Sequence, residues 1–253
     1  MERAEYEVMY RREEDYWWYV GLRDLVLADI EQLARRRGPL TILDAGCGTG
    51  KLLETCRAHR AYGLELSTEA LRFLRRRGLT NVVRGSVCRM PFPDETFDLV
   101  LSMDVLYCVE PPGDVQGLRE MVRVLKPGGL LVMNLPAYEF LRSWHDAAIH
   151  TKTRYTRSRV RAMLEGVGLR HPRLTYRNTI LFPVAALVRC VQKLLRPATA
   201  NEQSDLRPLP GLLNRALALP LFLENRLIRR GLSLPFGLSV FCLARKPLPE
   251  NGG

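Results

Sequence analysis

Short apolar runs alternate with amphipathic stretches along most of the chain, the pattern of strands interleaved with helices in an α/β fold. Leu40, Ile42 and Leu43 form a brief run that ends at glycines, which reads as a buried parallel strand. Further strands are predicted at Ala61–Glu65, Asn81–Gly85, Phe97–Ser102, Leu130–Leu135, Leu169–Thr179 and Leu238–Arg245. Residues 1 to 38 read as two helices, the second striped by Leu22, Leu25, Val26, Ile30 and Leu33 and ended by Gly38-Pro39. Helical spacing returns from Lys51, from Ser67 (an N-cap) to Arg77, from Val115 to Leu125, and from Thr156 to Gly166. About sixty residues separate the last two strands, and this stretch holds apolar helices around Ile180–Val188, running into Arg189, Lys193 and Arg196, and Leu212–Leu223, ending in Arg226, Arg229 and Arg230.

The stretch Asp44-Ala45-Gly46-Cys47-Gly48-Thr49-Gly50 sits between the first strand and the helix from Lys51, where free backbone N–H groups can face a polar ligand. Its spacing is not that of the dinucleotide fingerprint, which disfavours a nicotinamide dehydrogenase. Asp44 is placed to meet a positively charged or hydroxylated ligand, and Glu65, ending the second strand, can accept both hydroxyls of a ribose. With Met90-Pro91-Phe92-Pro93-Asp94-Glu95-Thr96-Phe97-Asp98-Leu99-Val100, these motifs resemble the class I S-adenosylmethionine-dependent methyltransferases, in the small-molecule "methyltransferase type 11"-like branch, over roughly residues 40 to 135.

The resemblance implies a Rossmann-like, mostly parallel seven-stranded sheet of order 3-2-1-4-5-7-6. It also implies S-adenosyl-L-methionine as cofactor, held by Asp44, Gly46, Cys47, Gly48, Gly50, Glu65, Leu66, Ser86, Val87 and Met103. Relatives usually carry an acid where this chain has Ser86, and a Glu-His pair where it has Tyr107-Cys108. N-terminal helices of similar enzymes lie across the ligand. The cluster Tyr16-Trp17-Trp18-Tyr19 therefore reads either as part of a lid or as core packing, with Arg23 placed to pair with the methionine carboxylate. The organisation expected is a helical lid over 1–38, a methyltransferase core over 39–179 and 233–246, a helical insertion over 180–232 between strands six and seven, and a tail over 247–253.

Catalysis is expected in the segment leaving the fifth strand, since ligands of doubly wound sheets sit beyond the carboxyl ends of strands. His145 or His150 would be the base, oriented by Asp146. Arg154-Tyr155 either holds an anionic part of the substrate or caps the following helix. The function expected is methyl transfer to a small or lipid-like hydrophobic acceptor, at oxygen before nitrogen or carbon. An RNA or protein methyltransferase and a non-catalytic cofactor-binding protein are the alternatives; the lack of an Asn-Pro-Pro-Tyr motif argues against nucleic-acid adenine.

The net charge of +11 is unevenly spread: residues 151–253 hold 18 Lys/Arg against 5 Asp/Glu, residues 1–150 hold 20 against 22. This fits either an anionic partner such as a membrane surface, or a solvated basic face. The insertion reads as interfacial helices, as a hairpin packed on the sheet or forming a dimer, or as a greasy lid. No uncharged run approaches the ~20 residues needed to span a bilayer. The six cysteines show no metal-binding or disulfide spacing and the start of the chain carries no secretion signal, which points to a reduced cytoplasmic setting, peripheral at the membrane if anything.

Overall fold

The computed structural model describes residues 3–195 and 208–249. Seven strands form one sheet: β1 (Thr41–Ala45), β2 (Arg60–Glu65), β3 (Val82–Arg84), β4 (Phe97–Met103), β5 (Leu125–Pro136), β6 (Arg173–Arg177) and β7 (Ser239–Arg245). Their order is β3-β2-β1-β4-β5-β7-β6, as expected. β1 to β5 run parallel, and β7 pairs antiparallel with both β5 and β6. The helices are α1 (Arg3–Arg12), α2 (Trp17–Arg37), α3 (Lys51–Thr55), α4 (Thr68–Arg76), α5 (Gly113–Val124), α6 (Trp144–Ala148), α7 (Arg157–Gly166), α8 (Phe182–Leu195) and α9 (Gly211–Arg229).

The central strands are apolar on both faces, so each face carries its own core. On one, Leu43, Val100, Leu131 and Met133 pack with Leu118 and Met121 of α5 and Val160 and Leu164 of α7. On the other, Ile42, Leu99, Leu101 and Val132 meet the α2 stripe of Leu22, Leu25, Val26, Ile30 and Leu33, together with Ile228 of α9. Ser67 caps α4 by accepting from Ala70 N, and Thr156 caps α7 by accepting from Arg159 N.

Three boundaries differ from the sequence reading. Trp17, Trp18 and Tyr19 open α2 instead of bridging two helices. β5 starts at Leu125 and absorbs the Lys126–Gly129 turn, because Leu125 pairs with Phe97 before a register shift. β6 begins only at Arg173, since Gly168 and His171 adopt left-handed backbone and Pro172 offers no N–H.

α9 is not an isolated appendage: it lies along α2. The Asn225 amide donates to Gly21 O and Asp24 Oδ2, and Asn214 accepts from Trp17 N while donating to Asp15 O. Gly21 permits this approach, because a Cβ there would lie 2.5 Å from Leu221 Cδ1 and 2.9 Å from its Cβ. Gly21→Val is expected to destabilise the protein by about 1–3 kcal/mol through overpacking. Denaturant unfolding reads this directly; an unchanged midpoint would mean the two helices part freely.

Candidate active site

The carboxyl ends of β1, β2, β4 and β5 open onto one cleft, and the glycine turn after β1 forms its floor. Gly46 N and Cys47 N both donate to Leu64 O, pulling the turn onto β2. Gly46 has φ 89°, and a Cβ on it would lie 2.5 Å from Val105 Cγ2, so only glycine fits between this turn and the loop after β4. Gly48 N donates to Glu65 Oε2 at 2.9 Å, and Gly50, also left-handed, caps α3.

Two acids meet at this turn. Glu65 is held by Gly48 N and by Ser67 N at 2.8 Å, leaving lone pairs on each oxygen for further donors. Asp44 is 3% exposed. Its burial, reinforced by the charges of Glu65 and Glu13, pushes its pKa up to about 7. The same surroundings push the buried Cys47 thiol well above its usual value, so it packs and does not react. Beside Glu65, Leu66 stands out as an exposed apolar plate. Ser86 accepts from Cys88 N at 3.2 Å, and Val87 is buried, so that side of the cleft is a tight local turn.

α1 lies over the turn. A Cβ on Gly48 would meet the Met9 methyl at 2.8 Å, and the Tyr6 phenol is hydrogen-bonded to Ser67. The elbow between α1 and α2 is anchored by Glu13, which is buried and accepts from Thr49 Oγ1, from Lys51 N and from Arg77 at 2.7 Å. Arg77 continues to Glu14 and Glu54 and stacks over the Tyr10 ring at 4.6 Å. Arg23, which the sequence reading placed to pair with the methionine carboxylate, faces this elbow and donates to Glu13 O at 2.6 Å and Glu14 O at 2.9 Å. Of the aromatic cluster, Tyr16 is buried, while the half-buried Tyr19 has its pKa raised by burial and by Glu13, Asp104 and Glu5, all acids bordering the cleft.

Across the cleft, Met103 ends β4 and Asp104 follows it with φ 55°. The Asn134 amide donates to both Asp104 oxygens, at 2.9 and 3.0 Å. Burial raises the Asp104 pKa to about 6, against the pull of Asn134, Arg177 and Arg154. Nothing in the sequence singled out Asp104, although a charged residue ending a buried parallel strand is itself a signal.

The 136–156 segment is built differently from the expectation. Asp146 is buried and bonded to Arg154 (Oδ1 to Nε 2.9 Å, Oδ2 to Nη2 3.0 Å), and it also accepts from Ser143 N. Arg154 further donates to Ala137 O. Asp146 thus fixes a loop, and Arg154 is engaged with it. His150 is exposed with left-handed backbone, and His145 lies in α6 with its side chain outside the described residues. Tyr155 is buried and donates to Asp114 and Leu106 O. No group of residues able to hold a metal occurs among the described residues.

Residues 43–133 match the methyltransferase domain family. The chain is 40% identical over 116 residues to a fatty-acid O-methyltransferase of Mycolicibacterium smegmatis, covering 42% of this chain and 41% of that one. It is 36% identical over 99 residues to phthiotriol/phenolphthiotriol dimycocerosates methyltransferase 1 of Mycobacterium ulcerans, covering 36% and 35%. Each alignment spans less than half of the curated relative's own length. In structure it is similar to a SAM-dependent methyltransferase from Archaeoglobus fulgidus, with a TM-score of 0.56, 19% identity, and coverage of 88% and 94%.

The acid pair carries a stability signature. Because the folded Asp44 pKa lies above its unfolded value, its protonated form favours the fold, and that contribution is lost as pH rises from about 4 through about 7. Asp44→Asn should remove up to about 1.4 kcal/mol per pH unit of that downward slope. Unfolding free energies of both proteins across this window measure it; parallel curves would place Asp44 in an ordinary solvated setting.

Proposed function

We propose that the chain is a class I S-adenosylmethionine-dependent methyltransferase, in line with the domain model matched by residues 43–133, and that it methylates an oxygen of a hydrophobic, lipid-like acceptor, with Asp104 taking the acceptor's proton. The observation that carries this reading is the meeting of the glycine turn, its two acids and the Asp104–Asn134 pair in one cleft under α1.

The residues fit the cofactor. Gly46 and Gly48 leave room that a Cβ would fill, Asp44 is a buried acid that gains from a cationic neighbour, Glu65 keeps lone pairs for hydroxyls, and Leu66 offers an apolar face. Cys47 and Gly50 shape the turn, Ser86 and Val87 close the side beyond Leu66, and Met103 borders the acceptor side. When bound, S-adenosylmethionine supplies a methyl group already activated on a sulfonium, so the protein's tasks are to align the acceptor and take its proton.

Asp104 suits the second task. A carboxylate with a pKa of about 6 is ionised near neutrality yet basic enough to take a proton from a hydroxyl as its bond to carbon forms. Asn134, donating to both oxygens, holds it in one orientation. Asp104 is preferred to a histidine as the base because Asp146, expected to orient one, is paired with Arg154.

The lipid-like acceptor is supported by exposed apolar surface on α8 and α9. Ile180, Val184 and Leu187 on and before α8, and Leu212, Leu219 and Leu223 on α9, are all exposed. No helix among the described residues is long and apolar enough to cross a membrane, so these faces would lie against a lipid surface or a greasy substrate. The names of the fatty-acid and phthiotriol relatives agree with such an acceptor.

Calorimetric titration with S-adenosylmethionine should show saturable binding that Gly46→Ala weakens at least tenfold. Lipid extracts from cells with and without the chain, compared by mass spectrometry, should differ in one compound heavier by a single methylene. Asp104→Asn is expected to lower kcat by roughly 10²–10⁴ while cofactor affinity holds. The wild-type rate should rise through about pH 6, and an unaltered pH profile in the variant would remove Asp104 from the chemistry.

A further inference from the structure

α9 presents two unlike sides. Ala218, Leu221, Glu224, Asn225 and Ile228 are buried on the inward one. On the outward one, Leu212, Arg215, Leu219, Leu223, Arg226 and the C-cap Arg230 follow one another in steps of three or four residues, which sets them in a single row. All six are exposed, Leu212 and Leu219 at 84% and 67%, and Phe222 stands beside them, also exposed. At the α-helical rise the row is about 27 Å long, the scale of an extended surface and not of a small ligand.

The charge on this side has one sign. Glu224 is the single acid of α9, and it is 2% exposed on the inward side, where it accepts from Ile180 N at 2.7 Å. Arg215, Arg226 and Arg230 make no ion pair among the described residues, whereas Arg229 at the edge of the row is held by Asp24. α8 repeats the pattern. It contains no acid, and Val184, Leu187, Val188 and Val191, at i, i+3, i+4 and i+7, are all exposed. Both helices begin near the rim of the cleft. Asn214 fastens α9 to the α1–α2 elbow through Trp17 N and Asp15 O, and Phe182 of α8 meets the Tyr138 and Phe140 rings just beyond β5.

Sign and shape together choose the occupant. A second copy meeting this row across a two-fold axis would set arginines against arginines, a costly arrangement. A nucleic acid would engage the arginines and leave the leucines and Phe222 in water. A bilayer with anionic head groups satisfies both kinds of side chain. The apolar residues enter the boundary of the acyl chains, and the arginines lay their apolar stems along it while their heads meet the phosphates. We propose that the outward row of α9, aided by that of α8, docks the protein in the plane of an anionic lipid bilayer. The docking supplies most of its attraction through apolar burial, with the arginines setting the preference among lipids. As the route by which a lipid-like acceptor reaches the cleft, it depends on the methyl-transfer reading; as a membrane contact, it does not.

Sedimentation with vesicles tests this on the full chain, comparing phosphatidylcholine alone with phosphatidylcholine mixed with phosphatidylglycerol. Binding to the mixed vesicles should be at least about tenfold tighter. The double variant Leu219→Glu, Leu223→Glu should weaken it by at least about tenfold. The triple variant Arg215→Gln, Arg226→Gln, Arg230→Gln should bring the two kinds of vesicle close to parity. All five positions are exposed, so both variants should melt at the wild-type temperature. Wild-type protein that binds neither vesicle, or binds both equally, overturns the proposal whether or not the variants fold. Dimerisation in light scattering that the leucine variant abolishes would assign the face to a second copy, and retention of duplex RNA in place of vesicles would assign it to nucleic acid; either result overturns the proposal as well. Failure of the methyl-transfer reading would show separately, as absent heat with S-adenosylmethionine beside intact vesicle binding.

Discussion

The site depends on one close approach: the Gly46 turn lies against Val105, with no space for a side chain between them. This contact brings the ends of β1 and β4 together and so sets Asp44 and Glu65 on one side of a cleft and Asp104 on the other. Three carboxylates near one another in partly desolvated surroundings are a cost, and each is met differently. Two backbone amides satisfy Glu65 and one side-chain amide holds Asp104, while Asp44 meets its cost by holding its proton. Its rise from 3.8 to about 7 corresponds to roughly 4 kcal/mol between its two protonation states, large against the stability of an ordinary domain. A cationic ligand at this turn relieves that cost, which ties binding to proton release.

The same turn is closed from above by a buried ionic knot. Removing Glu13 from solvent costs several kcal/mol, and the fold offsets this with Arg77, Thr49 and Lys51 N in good geometry. The knot adds little net stability for that reason. It does give direction, because Glu13 can be satisfied only when the α1–α2 elbow sits on α3 and α4. α1 is thereby registered over the glycine turn rather than merely attached to the core.

How much of this was legible in sequence follows from how local each feature is. The strand runs and the Asp44–Gly50 turn are contiguous, so periodicity and glycine spacing reveal them, and the sheet order followed from the resemblance those motifs carry. Arg23 and Asp146 stood in plausible places, but their partners, the Glu13 and Glu14 carbonyls and Arg154, depend on how the chain turns back on itself. Asp104 was hidden for the opposite reason. Its importance lies in meeting Asn134 at the strand ends, a property that exists only once β4 and β5 have converged.

Charge shows the same difference between sequence and space. The basic excess of residues 151–253 looks like a single positive surface when read along the chain. In the folded protein part of it is directed inward or across to the acidic half: Arg154 to Asp146, Arg159 to Asp114, Arg229 to Asp24, Lys246 to Glu95, and Arg177 into the interior. The acidic partners of all four pairs lie before residue 151, so the two compositional halves neutralise each other where they pack. Part of the asymmetry is therefore a consequence of how the fold closes, with later elements supplying cations to acids placed earlier. What distinguishes the outer side of α8 and α9 is exposed apolar area, and that makes hydrophobic contact, more than net charge, the force that holds what meets this face.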